Sequence, residues 1–160
     1  MSVLRAIVMI GIPASGKSDY IKYQLARTQN KCVVCPDDIR AELTGDAGDQ
    51  SMNTEVWKIA YERAEKALRD GKVLVFDATN AKKLDRVGLV EFLRSVMGPD
   101  GFIKGVWMQT PLEVCLERIA KRDRKVPQTS MERMHHALLA DPPRVYEGFD
   151  QLYVPTFALT

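Results

Sequence analysis

Eight consecutive residues near the start of the sequence have the types and spacing of a phosphate-binding loop. The segment from Gly11 to Ser18 reads Gly-Ile-Pro-Ala-Ser-Gly-Lys-Ser and matches the pattern GxxxxGK(S/T) in full. Its glycines let the backbone wrap around a phosphate, with successive N–H groups pointing inward. We predict that Lys17 is catalytic, because its ammonium reaches the β- and γ-phosphates and meets the charge that develops on the transferring group. The Ser18 hydroxyl is a ligand for Mg²⁺. The predicted nucleotide-binding residues of the loop are Gly11, Ala14, Ser15, Gly16, Lys17 and Ser18.

A second candidate segment contains two adjacent acids and an arginine, Asp37-Asp38-Ile39-Arg40. An aspartate at the end of a strand can take the proton of an attacking hydroxyl, and an arginine one helical turn later can hold an anionic acceptor. Acids also favour the first turn of a helix. We therefore assign catalysis to Asp37 and helix capping or solvent exposure to Asp38. Arg40 has the alternative of being an ordinary exposed helix residue.

A third acid, Asp77, follows the apolar run at 73–76. In that position it resembles the acid that supports Mg²⁺ through water, or that orients Ser18 or Asp37. The alternative is that Asp77 only begins a turn and that Asn80 caps the next helix. The residues alone leave both interpretations open.

A short basic segment is the fourth candidate. Residues 118–125 hold five basic side chains and one acid, in a chain whose net charge is only +2. An arginine on a link between two helices can offset charge on a transferring phosphoryl group. Arg118 and Arg122 lie four residues apart, so both can face one side of a helix. We predict a lid at about 118–130 in which Arg118 and Arg122 contact the nucleotide and Arg122 is catalytic.

The elements that must position these residues alternate between strand and helix. Apolar, β-branched runs predict strands at 3–10, 31–35, 73–76, 102–108 and 152–154. Helical spacing predicts helices at about 17–27, 36–43, 53–70 and 82–96, and capping boxes at Thr110–Glu113 and Thr129–Glu132 predict two more. This alternation indicates an α/β fold with a parallel sheet of about five strands flanked by helices. Ligands bind such sheets at the carboxyl ends of the strands.

Length and composition limit the remaining possibilities. The chain has 160 residues, 46% apolar and 28% charged, so we expect one domain over 1–160. No apolar stretch predicts a membrane span or a signal peptide, which favours a cytoplasmic protein, whether cellular or phage-encoded. A net charge of only +2 argues against a basic protein that coats nucleic acid along its whole surface. Three cysteines argue against a disulfide framework, and Cys32 and Cys35 would point to opposite faces of a strand.

The phosphate loop indicates a nucleotide without indicating a reaction. A GTPase of this length would need an Asn-Lys-x-Asp motif after a strand, and the sequence has none. Motor ATPases are usually longer. A kinase needs an acceptor site, a base and a water-excluding lid, and the three candidate segments match those needs.

Together, these motifs resemble the P-loop kinase domain of the polynucleotide 5′-kinase family, of the phage and bacterial RNA-repair type. The likeness covers about Val3 to Met134. It implies that Asp37 is the general base and that Arg40 contacts the acceptor's phosphate. Arg118 and Arg122 would be the lid arginines, and Asp77 the acid after the third strand. The implied fold is the P-loop NTPase kinase fold.

The same resemblance implies that ATP and Mg²⁺ are the cofactors and that the acceptor is the 5′-hydroxyl of RNA or DNA. A hydroxymethyl base in DNA or a small alcohol remains an alternative acceptor. A nucleotide-binding regulatory module with slow ATP hydrolysis is the hypothesis from another class. The sequence lacks the Asp-x-Asp-x-(Thr/Val) phosphatase signature and room for a ligase domain, so we expect a kinase acting alone.

Overall fold

The computed structural model describes residues 3–156, and its centre is a parallel sheet. The strands are β1 (Arg5–Ile10), β2 (Lys31–Val34), β3 (Val73–Asp77), β4 (Phe102–Trp107) and β5 (Gln151–Tyr153). Their order across the sheet is β2-β3-β1-β4-β5, and every neighbouring pair is parallel. The predicted five-stranded α/β fold is therefore confirmed.

Helices connect the strands. They are α1 (Lys17–Asp19, continued by a π-helical turn Tyr20–Gln24), α2 (Pro36–Thr44), α3 (Asn53–Arg69), α4 (Lys83–Met97), α5 (Leu112–Ala120) and α6 (Gln128–Ala140). Short 3₁₀ turns lie at Gln50–Met52 and Val145–Glu147. The link between α5 and α6 corresponds to the predicted basic lid.

Alternation along the strands divides the core into two layers. Val8 and Ile10 of β1 face a large apolar cluster that contains Phe76 and side chains of helices α2 to α6. Ile7 and Met9 point the other way, into a smaller cluster completed by residues of the first helix. Each fully buried aliphatic side chain of this kind contributes roughly 1.5–3 kcal/mol to folding, which fixes the strand register.

The register brings the candidate residues to one edge. Met9 of β1 lies opposite Asp77 of β3, and Val34 of β2 lies opposite Phe76. The phosphate loop leaves β1, and the segment with Asp37 leaves β2, at that same level. Three chain segments with phosphate-binding or acidic residues therefore meet at the carboxyl end of the sheet.

The first helix differs from its prediction as a regular helix over 17–27. After one α turn it widens, and the N–H of Leu25 donates to the carbonyl of Tyr20 at 3.2 Å, five residues back. Leu25 is buried in the smaller apolar cluster, with Tyr20 and Ile21 packed beside it. The apolar contacts of these three residues accompany the wider turn, and π turns of this kind are frequent near functional sites.

Both predicted capping boxes are wrong. The hydroxyl of Thr110 donates to the carbonyl of Ser15 at 2.6 Å, and α5 begins at Leu112 after Pro111 without a side-chain cap. The second helix of the pair begins at Gln128, so Thr129 lies inside it. In both cases a proline precedes the first turn, where its missing N–H costs nothing.

Candidate active site

The phosphate loop depends on two glycines for steric and conformational reasons. A Cβ atom at Gly11 would lie 2.5 Å from Oγ of Ser15 and 3.1 Å from Cβ of Met108, which excludes any side chain there. Gly16 has a φ of 102°, a left-handed conformation that side chains disfavour, and it directly precedes α1. Ala14 also has a positive φ, 64°, which costs roughly 1–2 kcal/mol. Such strain is common where backbone N–H groups converge on a ligand.

Two polar groups of the loop suit a phosphate. Oγ of Ser15 is fully buried and has no hydrogen-bond partner within residues 3–156. Nζ of Lys17 donates to the carbonyls of Gly11, at 2.7 Å, and Ile12, at 3.2 Å, so the ammonium is held against the loop. A buried, unpaired hydroxyl beside an ammonium and a helix N-terminus fits an anionic group. The residues present therefore fit a nucleotide's phosphates.

A metal ion at this site would depend on few protein ligands. In the part of the chain that the structure describes, no group of three or more His, Cys, Asp or Glu residues could hold a metal. Ser18, in the first turn of α1, is exposed and able to act as one ligand. Mg²⁺ commonly keeps several waters and binds through one or two protein ligands and substrate phosphates.

Lys17 and Asp77 influence each other's ionisation. Burial lowers the pKa of Lys17 below its ordinary value, and the negative charges of Asp77 and Asp37 partly counteract that fall. Burial raises the pKa of Asp77, Lys17 opposes the rise, and the acids Asp37 and Asp38 add to it. The candidate base and the strand-end acid therefore share one electrostatic environment with the loop's lysine.

The same three acids also affect the pKa of Cys35, the residue before α2. Burial, together with the charges of Asp77, Asp38 and Asp37, raises the pKa of its thiol to about 11. The thiol is therefore protonated at neutral pH and is a poor nucleophile or metal ligand.

Asp37 and Arg40 form an ion pair on α2. Nη1 of Arg40 lies 2.6 Å from Oδ1 of Asp37, and its Nε donates to Oδ1 of Asn53 at 3.1 Å. The side chain of Arg40 is 6% exposed, whereas that of Asp37 is 51% exposed. The alternative that Arg40 is an exposed helix residue is wrong, because α3 and the loop before it cover the guanidinium. Nη1 also donates to the carbonyl of Ala47 at 3.4 Å.

The end of α5 and the basic link after it contact both sides of the site. Nη1 of Arg118 donates to the carbonyl of Ala14 in the phosphate loop at 3.0 Å. Nη1 of Arg124 lies 3.4 Å from Oδ2 of Asp37. The side chain of Arg122 is exposed and makes no hydrogen bond or ion pair within residues 3–156, whereas its backbone N–H donates to the carbonyl of Ile119 at 3.1 Å. Burial raises the pKa of the Cys115 thiol, and the charges of Arg118, Lys17 and Arg122 oppose that rise. Of the two predicted lid arginines, only Arg118 touches the phosphate loop. The prediction that both face one side of a helix is wrong, because α5 ends at Ala120 and Arg122 lies beyond it. Arg124, which was not predicted, is the arginine next to Asp37.

The loop after β3 is tied to the phosphate loop. The Gly11 N–H donates to the carbonyl of Thr79 at 3.0 Å, and Nδ2 of Asn80 donates to the carbonyl of Met9 at 2.9 Å. Asn80 is buried and has a φ of 50°. It does not cap α4, which follows Lys82, so the predicted cap is wrong.

Sequence reasoning missed a buried ion pair that supports this loop. Nε and Nη2 of Arg86 donate to the two carboxylate oxygens of Glu147 at 2.8 and 2.9 Å. Its remaining N–H groups donate to the carbonyls of Asn80, Ala81 and Asp141. Arg86 lies three and four residues before Leu89 and Val90 on the buried face of α4, and this spacing was the available signal.

Comparison with known proteins agrees with this geometry. Residues 7–140 match the model of the AAA_33 family, described as an AAA domain. The chain belongs to this family. A curated relative, the transcription factor bHLH140 of Arabidopsis thaliana, is 28% identical over 117 residues, which are 72% of this chain and 11% of that protein. The chain thus spans a small part of that relative's length.

Solved structures share the fold at low identity. The Pnkp1/Rnl/Hen1 RNA repair complex contains a chain that is 21% identical, with a TM-score of 0.78, over 94% of this chain and 47% of that one. A gluconokinase from Sinorhizobium meliloti is 19% identical, with a TM-score of 0.60, over 96% and 83% of the two chains. The tunicamycin resistance protein of Deinococcus radiodurans is 16% identical, with a TM-score of 0.58, over 94% and 86%. These likenesses establish the P-loop kinase fold.

The helices add one further finding. Within residues 3–156, none of them is both long and apolar enough to cross a bilayer.

Proposed function

We propose that the protein transfers the γ-phosphoryl group of ATP, with Mg²⁺, to the 5′-hydroxyl of RNA or DNA. The observation that carries the proposal is the position of Asp37: it is half-exposed, paired with the buried Arg40, and shares an electrostatic environment with Lys17 of the phosphate loop. A carboxylate held beside a phosphate site can accept a hydroxyl proton.

In this proposal each group of the chain has one task. Lys17, the loop N–H groups and Ser18 hold the nucleotide and its metal, which neutralises charge on the phosphates when bound. Asp37 accepts the proton of the attacking hydroxyl, and Arg40 keeps that carboxylate in place. Arg118 and Arg122 belong to the lid that excludes water.

A polynucleotide acceptor is favoured by two observations. One structure with the same fold, with a TM-score of 0.78, is a chain of the Pnkp1/Rnl/Hen1 RNA repair complex. In addition, Nη2 of Arg40 makes no hydrogen bond within residues 3–156, and it is not completely buried. This nitrogen is therefore free to donate to an acceptor's phosphate.

A small alcohol is the second candidate acceptor. It is favoured by the likeness to a gluconokinase over 96% of this chain, and by the burial of most of the Arg40 guanidinium, which leaves little of it for a long anionic strand.

Transfer of label from ATP to a panel of hydroxyl acceptors decides between them. The panel contains 5′-hydroxyl RNA and DNA oligonucleotides, DNA with a hydroxymethyl base, free nucleosides and sugar acids. We expect label on the 5′-hydroxyl oligonucleotides, and none with Lys17→Ala. Label on only the small alcohols would overturn the polynucleotide assignment, and ATP hydrolysis without label on any acceptor would favour the regulatory module.

A further inference from the structure

A cavity of about 360 Å³ lies between α3 and the start of α4, outside the site described above. It is lined by Trp57, Lys58, Tyr61 and Asp85. Trp57 is 38% exposed, which is unusual for the largest aromatic side chain on a helix whose other apolar residues are mainly buried. The cavity therefore presents an aromatic surface flanked by one cation and one carboxylate.

The indole of Trp57 is fixed by its aromatic neighbours. Its ring stacks on Phe76 at a centroid distance of 6.2 Å and an angle of 27°. Tyr61 meets it edge-on at 6.5 Å, and Tyr61 itself stacks on Phe92 at 4.5 Å. A ring held in this way loses little conformational entropy when a planar ligand stacks on its free surface.

The cavity is close to the acceptor side of the candidate active site. Trp57 is one helical turn after Asn53, which holds Nε of Arg40, the partner of Asp37. The four residues from Asn53 to Trp57 span about 6 Å along the axis of α3. On its other side, Trp57 packs on Phe76, the residue before Asp77. Trp57 therefore lies near both the residues that hold Asp37 and the strand that ends at Asp77, within reach of the next nucleotide of an acceptor bound at Asp37.

We propose that this cavity binds a nucleobase of the acceptor strand, by stacking on Trp57, with Lys58 and Asp85 beside the base's polar edge. Bases stack on aromatic side chains irrespective of sequence, because every base has a π face. A lysine and an aspartate supply the donor and the acceptor that a base edge requires. The inference rests on the proposed function and deepens it: the cavity would favour a polynucleotide end over a small alcohol.

The first test compares acceptors with and without a base. Oligonucleotides with a 5′-hydroxyl carry an abasic residue at the first or the second position, as RNA and as DNA, and the KM is measured with saturating ATP. Loss of one stacked base weakens binding about tenfold. We expect a KM about tenfold higher for at least one of the two abasic positions. Trp57→Leu should abolish that difference, and Trp57→Phe, which retains a ring, should preserve most of it.

Tyr23→Leu is the matched control, because Tyr23 is another exposed aromatic residue and lies on the first helix, away from α3. It should leave the KM ratio unchanged. Equal KM values for intact and abasic acceptors in the natural protein, or an unchanged ratio in Trp57→Leu with normal folding, would overturn the inference while leaving the proposed kinase activity intact.

A binding measurement separates the two proposals. The chain has two tryptophans, so Trp107→Phe leaves Trp57 as the single indole. With ADP and Mg²⁺ present, single-stranded oligonucleotides should quench its fluorescence, and their abasic counterparts should quench it less. The Trp57→Phe variant, which reports only Trp107, should show no such difference. If no oligonucleotide is phosphorylated, the proposed function fails; quenching would still support the base site, and its absence would overturn it.

Discussion

The buried guanidinium of Arg40 lies 2.6 Å from the half-exposed carboxylate of Asp37, three residues earlier on α2. The same guanidinium donates hydrogen bonds to Oδ1 of Asn53 on α3 and to the carbonyl of Ala47. The arrangement fixes the rotamer of the carboxylate while leaving one of its faces in solvent. A carboxylate held in this way can meet a hydroxyl without first reorganising.

This relationship predicts separate effects for the two residues. Asp37→Asn should lower kcat by about 10²- to 10⁴-fold, the usual contribution of a general base, with nearly unchanged affinity for ATP and Mg²⁺. Steady-state label transfer and calorimetric nucleotide binding measure the two quantities. A strong loss of nucleotide affinity in Asp37→Asn would place the residue on the donor side instead.

Arg40→Ala should lower kcat for every acceptor, because Asp37 loses the partner that orients it. It should also raise the KM for an oligonucleotide, but not for a free nucleoside, which has no phosphate for Nη2 to bind. Glu42→Gln is the control, since Glu42 lies on the same helix and pairs with Arg63 at the surface. An unchanged kcat with only a raised oligonucleotide KM would make Arg40 a substrate contact and not a positioning residue.

The lid gives the second prediction, with three variants that separate its arginines. Arg122→Ala should lower kcat on the order of 10²-fold, as removal of a donor to transferring phosphate does, and Arg122→Lys should restore little of it. Arg118→Ala should mainly raise the KM for ATP, because Arg118 holds the carbonyl of Ala14. Arg124→Ala should cost less than about fivefold, since its pair with Asp37 is half-exposed.

The kcat of each of the three variants at saturating ATP, together with its KM for ATP, decides the assignment. If Arg124→Ala lost more activity than Arg122→Ala, the catalytic arginine would be two residues further along the lid. The structure gives that outcome a physical basis, because Arg124 is the lid residue that contacts Asp37.

The features that could be predicted from the sequence are those encoded locally. The phosphate loop is one continuous motif, and the strands around it are short β-branched runs. The sequence also predicted that Asp37 and Arg40 lie one turn apart on the same helix. Each of these depends on contacts within a few residues of the chain.

The features that were missed depend on distant partners. The buried guanidinium of Arg40 donates its Nε–H to Asn53, thirteen residues later. Thr110 binds a carbonyl 95 residues away instead of capping its own helix. Local propensity does not report which of two available partners a hydroxyl or a guanidinium takes, because packing of the whole chain decides it.

The pair between Arg86 and Glu147 leads to a prediction about stability. Their side chains are 0% and 1% exposed, and the arginine also satisfies three backbone carbonyls. Glu147→Leu leaves a buried guanidinium without its counter-charge, which should lower the free energy of unfolding by about 3–5 kcal/mol. Arg63→Met, which breaks the half-exposed pair with Glu42, should leave the free energy of unfolding nearly unchanged. Urea unfolding of the two variants measures both values, and similar losses would contradict the distinction.

The last prediction concerns the pH dependence set by Lys17 and Asp77. Burial lowers the pKa of Lys17, and the charge of Asp77 limits that fall. Asp77→Asn should therefore lower the pKa of Lys17 further. Because a phosphate requires the charged ammonium, affinity for ADP falls as pH rises through the pKa of Lys17, and in Asp77→Asn this fall should begin at a lower pH.

Calorimetric titration of ADP from neutral pH to about pH 10, with EDTA to remove any effect on a metal, measures the shift. Stability should change with pH in the opposite direction to affinity. Between the lowered folded pKa and the unfolded pKa of Lys17, the unfolded chain binds more protons, so stability rises with pH, over a wider range in the variant. Asp38→Asn is the control, because Asp38 is not among the groups that shift the pKa of Lys17. An affinity profile that stays in place, or moves to higher pH, would show that Asp77 does not support the charge of Lys17.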